Sequence, residues 1–325
     1  MPSALNLQHN YTFKHFIFFN IGNFFNPNRA RICGFILSSV YLFCLPETAQ
    51  AAETPAAPAY EFSNSRLHPV QSPQGLKHQL IVTLPDSYAT DPNKRYPVVY
   101  YLDAYWDFPL LYATHGNLRY DRAIPECILV GLSVAADTDI NAYRTGYFSI
   151  AHKPQNKHQL GQANVLYAHL SQDIIPYIDT HFRTVATPSG RVLAGQSMGG
   201  LFALYGLYQK PSVFQRFIAI NPAVAGSELA LNKLDNEQLA ETKKLDARVF
   251  ISHGSEEYAP FRDPIIQFKK QLKKRRYAGL YVQNMTLEGM GHTGGKGEAY
   301  GKGLLWVLQD LTPKEKSGLQ ADMGG

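Results

Sequence analysis

Arg191-Val192-Leu193-Ala194-Gly195-Gln196-Ser197-Met198-Gly199-Gly200-Leu201-Phe202-Ala203-Leu204 is the segment from which the fold can be read. Arg191 to Ala194 is short and mostly apolar, as a strand buried on both faces must be. Met198 to Gln209 reads as a helix. The chain must therefore pass from strand to helix across one residue, and the glycines beside Ser197 permit the backbone strain that leaves its hydroxyl projecting from the strand end. The pattern Gly-x-Ser-x-Gly alone arises by chance in roughly one chain of this length in ten. The flanking strand and helix carry the weight. The same turn sets the Met198 backbone N–H at a helix N-terminus, where it can face a developing oxyanion.

Strand-like runs recur on either side of this segment, at His78 to Leu84, Pro97 to Leu102, Cys127 to Leu132, Phe217 to Ile220, Arg248 to Ile251 and Tyr281 to Leu287. Helix-compatible stretches lie among them at Gly161 to His181, Phe261 to Arg276 and Glu298 to Leu311. In the first of these Leu166, Leu170, Ile174, Tyr177 and Ile178 make one apolar face. Buried strands alternating with amphipathic helices predict an α/β fold, a doubly wound, mostly parallel sheet. Two connections break the rhythm. Ser133 to His158 is long, with Tyr143, Arg144, Tyr147 and Phe148, and residues 223–246 are polar, reading equally as a cap over a site or as a surface helix and loop.

The chain has 325 residues, 45% hydrophobic and 18% charged, which supports a large core and excludes a disordered chain. Its 3 cysteines are too few for a disulfide scaffold, and Cys127, in an apolar run, reads as a buried thiol. Arg29 and Arg31 precede the apolar run Ile32 to Leu45 and the small-residue stretch ending at Ala51, the order of a secretory signal. Residues 1–51 are thus expected to be a signal peptide with an over-long leader, which a start codon assigned too early explains. Cleavage near Ala51 would leave an exported protein, periplasmic or secreted. The run falls short of the roughly 20 residues that cross a bilayer, so no stable membrane span is expected. Residues 52–67 read as a flexible tether and 68–325 as the folded domain. Without residues 1–51, 28 basic and 25 acidic residues remain, a net +3 that points to no charged partner. Lys269, Lys270, Lys273, Lys274, Arg275 and Arg276 fit a solvated helix face, not a nucleic-acid groove. No metal-ligand spacing, dinucleotide fingerprint or phosphate loop is present, so no cofactor and no metal are expected. Oligomeric state is not legible.

A serine hydroxyl needs a base, and in a fold of this chain order the base follows the final strand. His292, in Glu288-Gly289-Met290-Gly291-His292-Thr293-Gly294-Gly295, stands there. His253 as the base would break that order. The orienting carboxylate is expected after the penultimate strand, where Glu257 is favoured, with Glu256 and then Asp263 as alternatives. Tyr101-Leu102-Asp103-Ala104-Tyr105-Trp106 ends an early strand, and the loop there is expected to give the second oxyanion donor, Tyr105 N–H first and Ala104 N–H second.

Tyr96-Pro97-Val98-Val99-Tyr100-Tyr101-Leu102-Asp103, the Ser197 turn with Gly200-Leu201-Phe202, and Gly291-His292 together resemble an esterase family of α/β-hydrolases. That family includes enterobactin-type siderophore esterases, S-formylglutathione hydrolases, feruloyl esterases and mycolyltransferases. The resemblance runs from His78 to Leu311 and takes in Ile174-Ile175-Pro176-Tyr177-Ile178-Asp179, Pro211-Ser212-Val213-Phe214 and Gly254-Ser255-Glu256-Glu257. It implies an α/β-hydrolase fold and a serine esterase acting on a small-molecule ester through an acyl-enzyme, with the siderophore branch nearest. Acyl transfer, or thioester or peptide cleavage, would use the same machinery. A non-catalytic binding protein on the same fold is the alternative of a different class. Three departures fall near the expected substrate pocket. Ala104 stands where the family often has Gly, Asn221-Pro222-Ala223 replaces Ser-Pro-Ser, and Arg144-Thr145-Gly146-Tyr147 loses the carboxylate of Arg-x-x-Asp. The signal reading has a direct check: N-terminal sequencing of the exported protein should begin at Ala52, and a retained leader would overturn it.

Overall fold

Side chains of a fully buried strand alternate between two cores, and the central strands here do so residue by residue. Val98 and Tyr100 enter one core while Val99 and Tyr101 enter the other, and Phe217 and Ala219 alternate likewise with Ile218 and Ile220. The computed structural model describes residues 60–312 except 63, 74, 136 and 151–160. The leader and its cleavage site lie outside the described residues.

Among the described residues the strands are β1 (Ser65–Gln71), β2 (Lys77–Thr83), β3 (Val98–Tyr101), β4 (Ile128–Val134), β5 (Arg191–Gln196), β6 (Arg216–Ile220), β7 (Lys244–Gly254) and β8 (Ala278–Leu287). They form one sheet in the order β1-β2-β4-β3-β5-β6-β7-β8. β1 and β2 are antiparallel to each other and β2 to β4. The remaining pairs are parallel. The helices are α1 (Ala104–Tyr120), α2 (Ile140–Tyr147), α3 (Ala163–His169), α4 (Ile175–His181), α5 (Met198–Gly206), α6 (Glu228–Glu241), α7 (Ala259–Arg275) and α8 (Lys296–Leu308). A π-helical turn, Leu170–Ile174, joins α3 to α4, and the expected apolar face of that stretch is buried at Leu166, Leu170, Ile174 and Ile178.

The arrangement of layers places the site. α1 and α8 cover one face through Leu111, Tyr300, Leu304, Val307 and Leu308. α3 to α7 cover the other, with Leu166, Phe202, Leu231, Ile265 and Phe268 among their core residues. The chain therefore leaves β3 toward one face, as α1, and leaves the adjacent β5 toward the other, as α5. Neighbouring parallel strands whose connections diverge open a crevice beyond their carboxyl ends, where ligands of such sheets bind.

Three elements depart from the expectations, and a fourth falls on a segment read two ways. β1 starts at Ser65, inside the stretch read as a tether. It is an edge strand with Pro69 and only partial burial, so its pattern is faint. α1 occupies a stretch with no expected helix, because Pro109 and scattered polar residues hide its buried side at Ala104, Asp107, Leu111 and His115. α2 lies within the long connection after β4. The polar 223–246 segment holds α6, whose fully buried Asp235 accepts from Arg275 (2.5 Å), Gln271 (2.6 Å), Tyr277 (2.8 Å) and Tyr208 (3.1 Å). That cluster ties α6 to α7.

Three histidines are held neutral inside. Burial lowers His78 to about 3, with His169 adding to it, and lowers His115 and His253 to about 4, with Arg119 and with Lys269 and Arg262 contributing respectively. On unfolding each returns to its ordinary 6.5 and binds a proton. Between pH 6.5 and 4 the unfolded chain thus holds more protons than the folded one, and stability must fall as pH drops through that window. Urea midpoints should decline across it, and His115→Gln should flatten the slope; an unchanged slope would refute this account.

Candidate active site

The strand-to-helix turn has the strain that its sequence implies. Ser197 sits at φ 56°, ψ −117°, a region L-residues avoid at a cost of about 1–3 kcal/mol. Gly195 is required because a Cβ there would stand 2.4 Å from the Gly199 carbonyl carbon. The backbone of Ser197 is fixed on both sides: its N–H donates to the Ile220 carbonyl (2.9 Å), and its carbonyl accepts from Ala223 (2.8 Å) and Leu201 (2.9 Å). The hydroxyl is left free to meet a partner from elsewhere in the chain.

That partner is His292. Its Nε2 lies 2.8 Å from Ser197 Oγ, and its Nδ1 lies 2.5 Å from Glu257 Oε2. The carboxylate can only accept, so Nδ1 carries the proton and Nε2 is left to accept from the serine hydroxyl. Glu257 is buried, and its other oxygen accepts from the Tyr258 N–H at 3.1 Å. Glu256 points to solvent, and Asp263 is exposed beside Arg262 (3.3 Å). Of the three candidate carboxylates, Glu257 is the one that meets the ring. His253 instead lies against Lys269, accepting from its Nζ at 3.0 Å.

The loop carrying His292 is held by residues to which the sequence reading gave no role. Gln196 Nε2 donates to the His292 carbonyl (2.9 Å), as does Asn221 Nδ2 (2.6 Å), which also reaches the Gly291 carbonyl (3.1 Å). Asn221 holds φ 41°, a left-handed conformation that Asn tolerates better than most residues. This gives the Asn-Pro-Ala departure a physical role. Gly254, at the end of β7, is pressed against the same loop: a Cβ would stand 2.0 Å from the Met290 carbonyl oxygen.

On the other side of Ser197, the expected donors Tyr105 and Ala104 belong to the first turn of α1 and not to a loop. First-turn amides have no preceding helical carbonyl to bond, so they are available to an anion. Asp103 precedes them in a left-handed conformation (φ 55°, ψ 37°), its carbonyl accepting from Trp106 and Asp107. A Cβ on Gly199 would lie 3.4 Å from Leu102 and 3.6 Å from Asp103, so this turn abuts the start of α5, where the Met198 amide is. Asp103 is buried, which raises its carboxyl above the ordinary range, and Arg144 Nε, 2.9 Å away, works against that rise. Arg144, which has no carboxylate three residues on, pairs with Asp103. Four aromatic residues close in the chain to these groups are exposed: Tyr105 and Trp106 in the first turn of α1, and Tyr258 and Phe261 after Glu257, the last with its ring 6.0 Å from the His292 imidazole. Among the described residues no group of three or more His, Cys, Asp or Glu could hold a metal ion, and no helix is long and apolar enough to cross a membrane.

Residues 74–299 match the family model described as "Putative esterase", which covers more than half of the chain. The chain belongs to this family. Ferri-bacillibactin esterase BesA of Bacillus subtilis is 24% identical over 165 residues, covering 47% of this chain and 56% of that protein. The chain spans 66% and 56% of the length of curated relatives it matches. Among solved structures, the BES protein from Bacillus cereus superposes with a TM-score of 0.69 at 20% identity, covering 79% of this chain and 99% of that one. An IroE-like serine hydrolase from Shewanella oneidensis gives a TM-score of 0.68 at 19% identity, covering 77% and 82%. These structural likenesses bear out the α/β fold.

The close approach of Gly254 can be tested. Gly254→Ala must displace the Met290 carbonyl and with it His292, so Ser197 labelling by an alkylphosphonate should slow by about a hundredfold. Gly291→Ala, whose Cβ meets only the Glu256 carbonyl at 4.0 Å, should label within about tenfold of wild type. Equal rates for the two variants would show that the approach does not govern the site.

Proposed function

We propose that the protein is a serine esterase that cleaves carboxylic esters through an acyl-enzyme on Ser197. The observation that carries this reading is the unbroken hydrogen-bonded line Ser197 Oγ, His292, Glu257. Family membership agrees with it. In the first half-reaction His292 Nε2 takes the Ser197 proton as Oγ attacks the ester carbonyl, and Glu257 stabilises the imidazolium that forms. The amides of Met198 and Tyr105 hold the developing oxyanion. Collapse expels the alcohol, which takes its proton from His292 and leaves the acyl group on Ser197. Water, deprotonated by the same imidazole, attacks the acyl-enzyme, and the serine is released with its proton restored.

The substrate reading is a siderophore-type ester. The name of BesA supports it, and so do these exposed aromatic residues, which can stack on planar rings in an acyl group or a leaving group. Work outside the cytoplasm, in the periplasm or beyond, goes with this reading on the strength of the leader ending near Ala51.

Two measurements test the chemistry. Ser197→Ala should abolish hydrolysis of p-nitrophenyl butyrate, and Glu257→Gln should lower kcat by at least about a hundredfold while Glu256→Gln stays within about threefold. On a panel of simple esters, feruloyl esters and catecholate siderophores, the last should give the highest kcat/KM. Absence of any Ser197-dependent turnover would leave the non-catalytic binding protein as the better reading, and product partitioning to an added alcohol would identify an acyltransferase.

A further inference from the structure

Asp107 and Lys296 form an ion pair almost wholly withdrawn from water, with residue exposures of 2% and 8% and Nζ 2.5 Å from Oδ1. The second carboxylate oxygen accepts from Tyr300 Oη at 2.8 Å. Burial raises the Tyr300 hydroxyl well above its ordinary range, so it remains a donor. The Lys296 ammonium also lies 4.6 Å from the centre of the Trp106 ring. Desolvating two charges consumes much of what their attraction returns, so apolar side chains of similar volume commonly join two helices as well. Such a pair contributes register, because opposite charges in a dry interface meet in one geometry.

The neighbouring surface needs that register. α1 and α8 approach through Gly297 opposite Leu110 and Gly301 opposite Thr114, where a Cβ would lie 3.3 Å and 3.6 Å from the facing side chain. Contacts this close are made at one alignment of the two helices, and a shift along their axes would change them. The ion pair sits at the end of these contacts nearest the site. Asp107 follows Tyr105 by two residues and bonds through its N–H to the Asp103 carbonyl at 3.0 Å. Lys296 follows His292 by four residues and bonds through its N–H to the Thr293 carbonyl at 3.2 Å.

We infer that Asp107, Lys296 and Tyr300 are positioning residues: a buried strut that fixes the first turn of α1, with the Tyr105 amide, relative to the loop that carries His292. The inference rests on the roles proposed above for Tyr105 and His292. A shift of α1 along α8 would move the oxyanion donor away from the base without disturbing the sheet, so the loss would fall on the transition state and spare ground-state binding.

The double variant Asp107→Leu/Lys296→Met in the full chain tests this, with Ser197→Ala alongside. Away from thermal unfolding, kcat for p-nitrophenyl butyrate should fall by about tenfold or more with KM within about twofold. Affinity for a trifluoromethyl ketone, which forms a tetrahedral adduct on the serine, should weaken in parallel with kcat. Lys296→Arg should retain most of both. If kcat and ketone affinity in the double variant stay within about twofold of wild type, the strut is overturned and the pair only joins two helices. Should the double variant fail to fold, Tyr300→Phe carries the test: kcat lowered about threefold at unchanged Tm supports the strut, and unchanged kcat overturns it. A wild-type chain without Ser197-dependent turnover removes the esterase reading itself, an outcome distinct from an active wild type beside an undiminished double variant.

Discussion

Ser197 is held in a backbone conformation that no strand or helix uses, and the surrounding structure exists in large part to keep it there. The strain is tolerated because β5 is an interior strand of the parallel part of the sheet, paired on both sides by β3 and β6, and because the Ser197 peptide is bonded to Ile220 at the end of β6 and to Ala223 just beyond it. A conformation that costs free energy locally persists only where its neighbours over-determine it. Here those neighbours are backbone groups of adjacent strands, which is why the site is built at the middle of the sheet and not at its edge.

The site groups follow the carboxyl ends of parallel strands. Asp103 to Tyr105 come after β3, Ser197 and Met198 after β5, Asn221 after β6, Glu257 after β7 and His292 after β8. Parallel pairing puts these five ends on one side of the molecule, so residues far apart in the chain converge without long loops. The antiparallel β1 and β2, at the opposite edge from β8, contribute none of these residues and widen the sheet.

Two kinds of polar contact refine that convergence. Side-chain amides of Gln196 and Asn221 hold backbone carbonyls of the His292 loop, so the position of His292 depends on the ends of β5 and β6. Ion pairs act on the other flank, where the partly buried Arg144 meets Asp103 and the buried Lys296 meets Asp107. A fully buried charge is costly unless it is paired, so the Lys296–Asp107 pair admits few geometries and constrains the helices that carry it. Both pairs act on the first turn of α1.

The sequence by itself determined the fold class and singled out Ser197 and His292 as candidates, which the fold brings within 2.8 Å of each other. Those follow from local signals and chain order: a buried apolar run, a glycine-flanked serine, a helix, and a histidine among glycines after the last strand. It also narrowed the acid to three residues, but Glu257 and Glu256 are adjacent and alike in composition, and only the direction of each side chain separates them. α1 and β1 were not legible because Pro109 in one and edge exposure in the other blur the periodicity that marks an element. Asn221, Gly254 and the Asp107–Lys296 pair were decided by tertiary structure alone. Their roles consist of contacts with residues dozens to nearly two hundred positions away. Pattern and propensity act over a few residues; which distant carbonyl a side chain meets, or which helix a charge must face, is set only when the sheet brings the ends of its strands together.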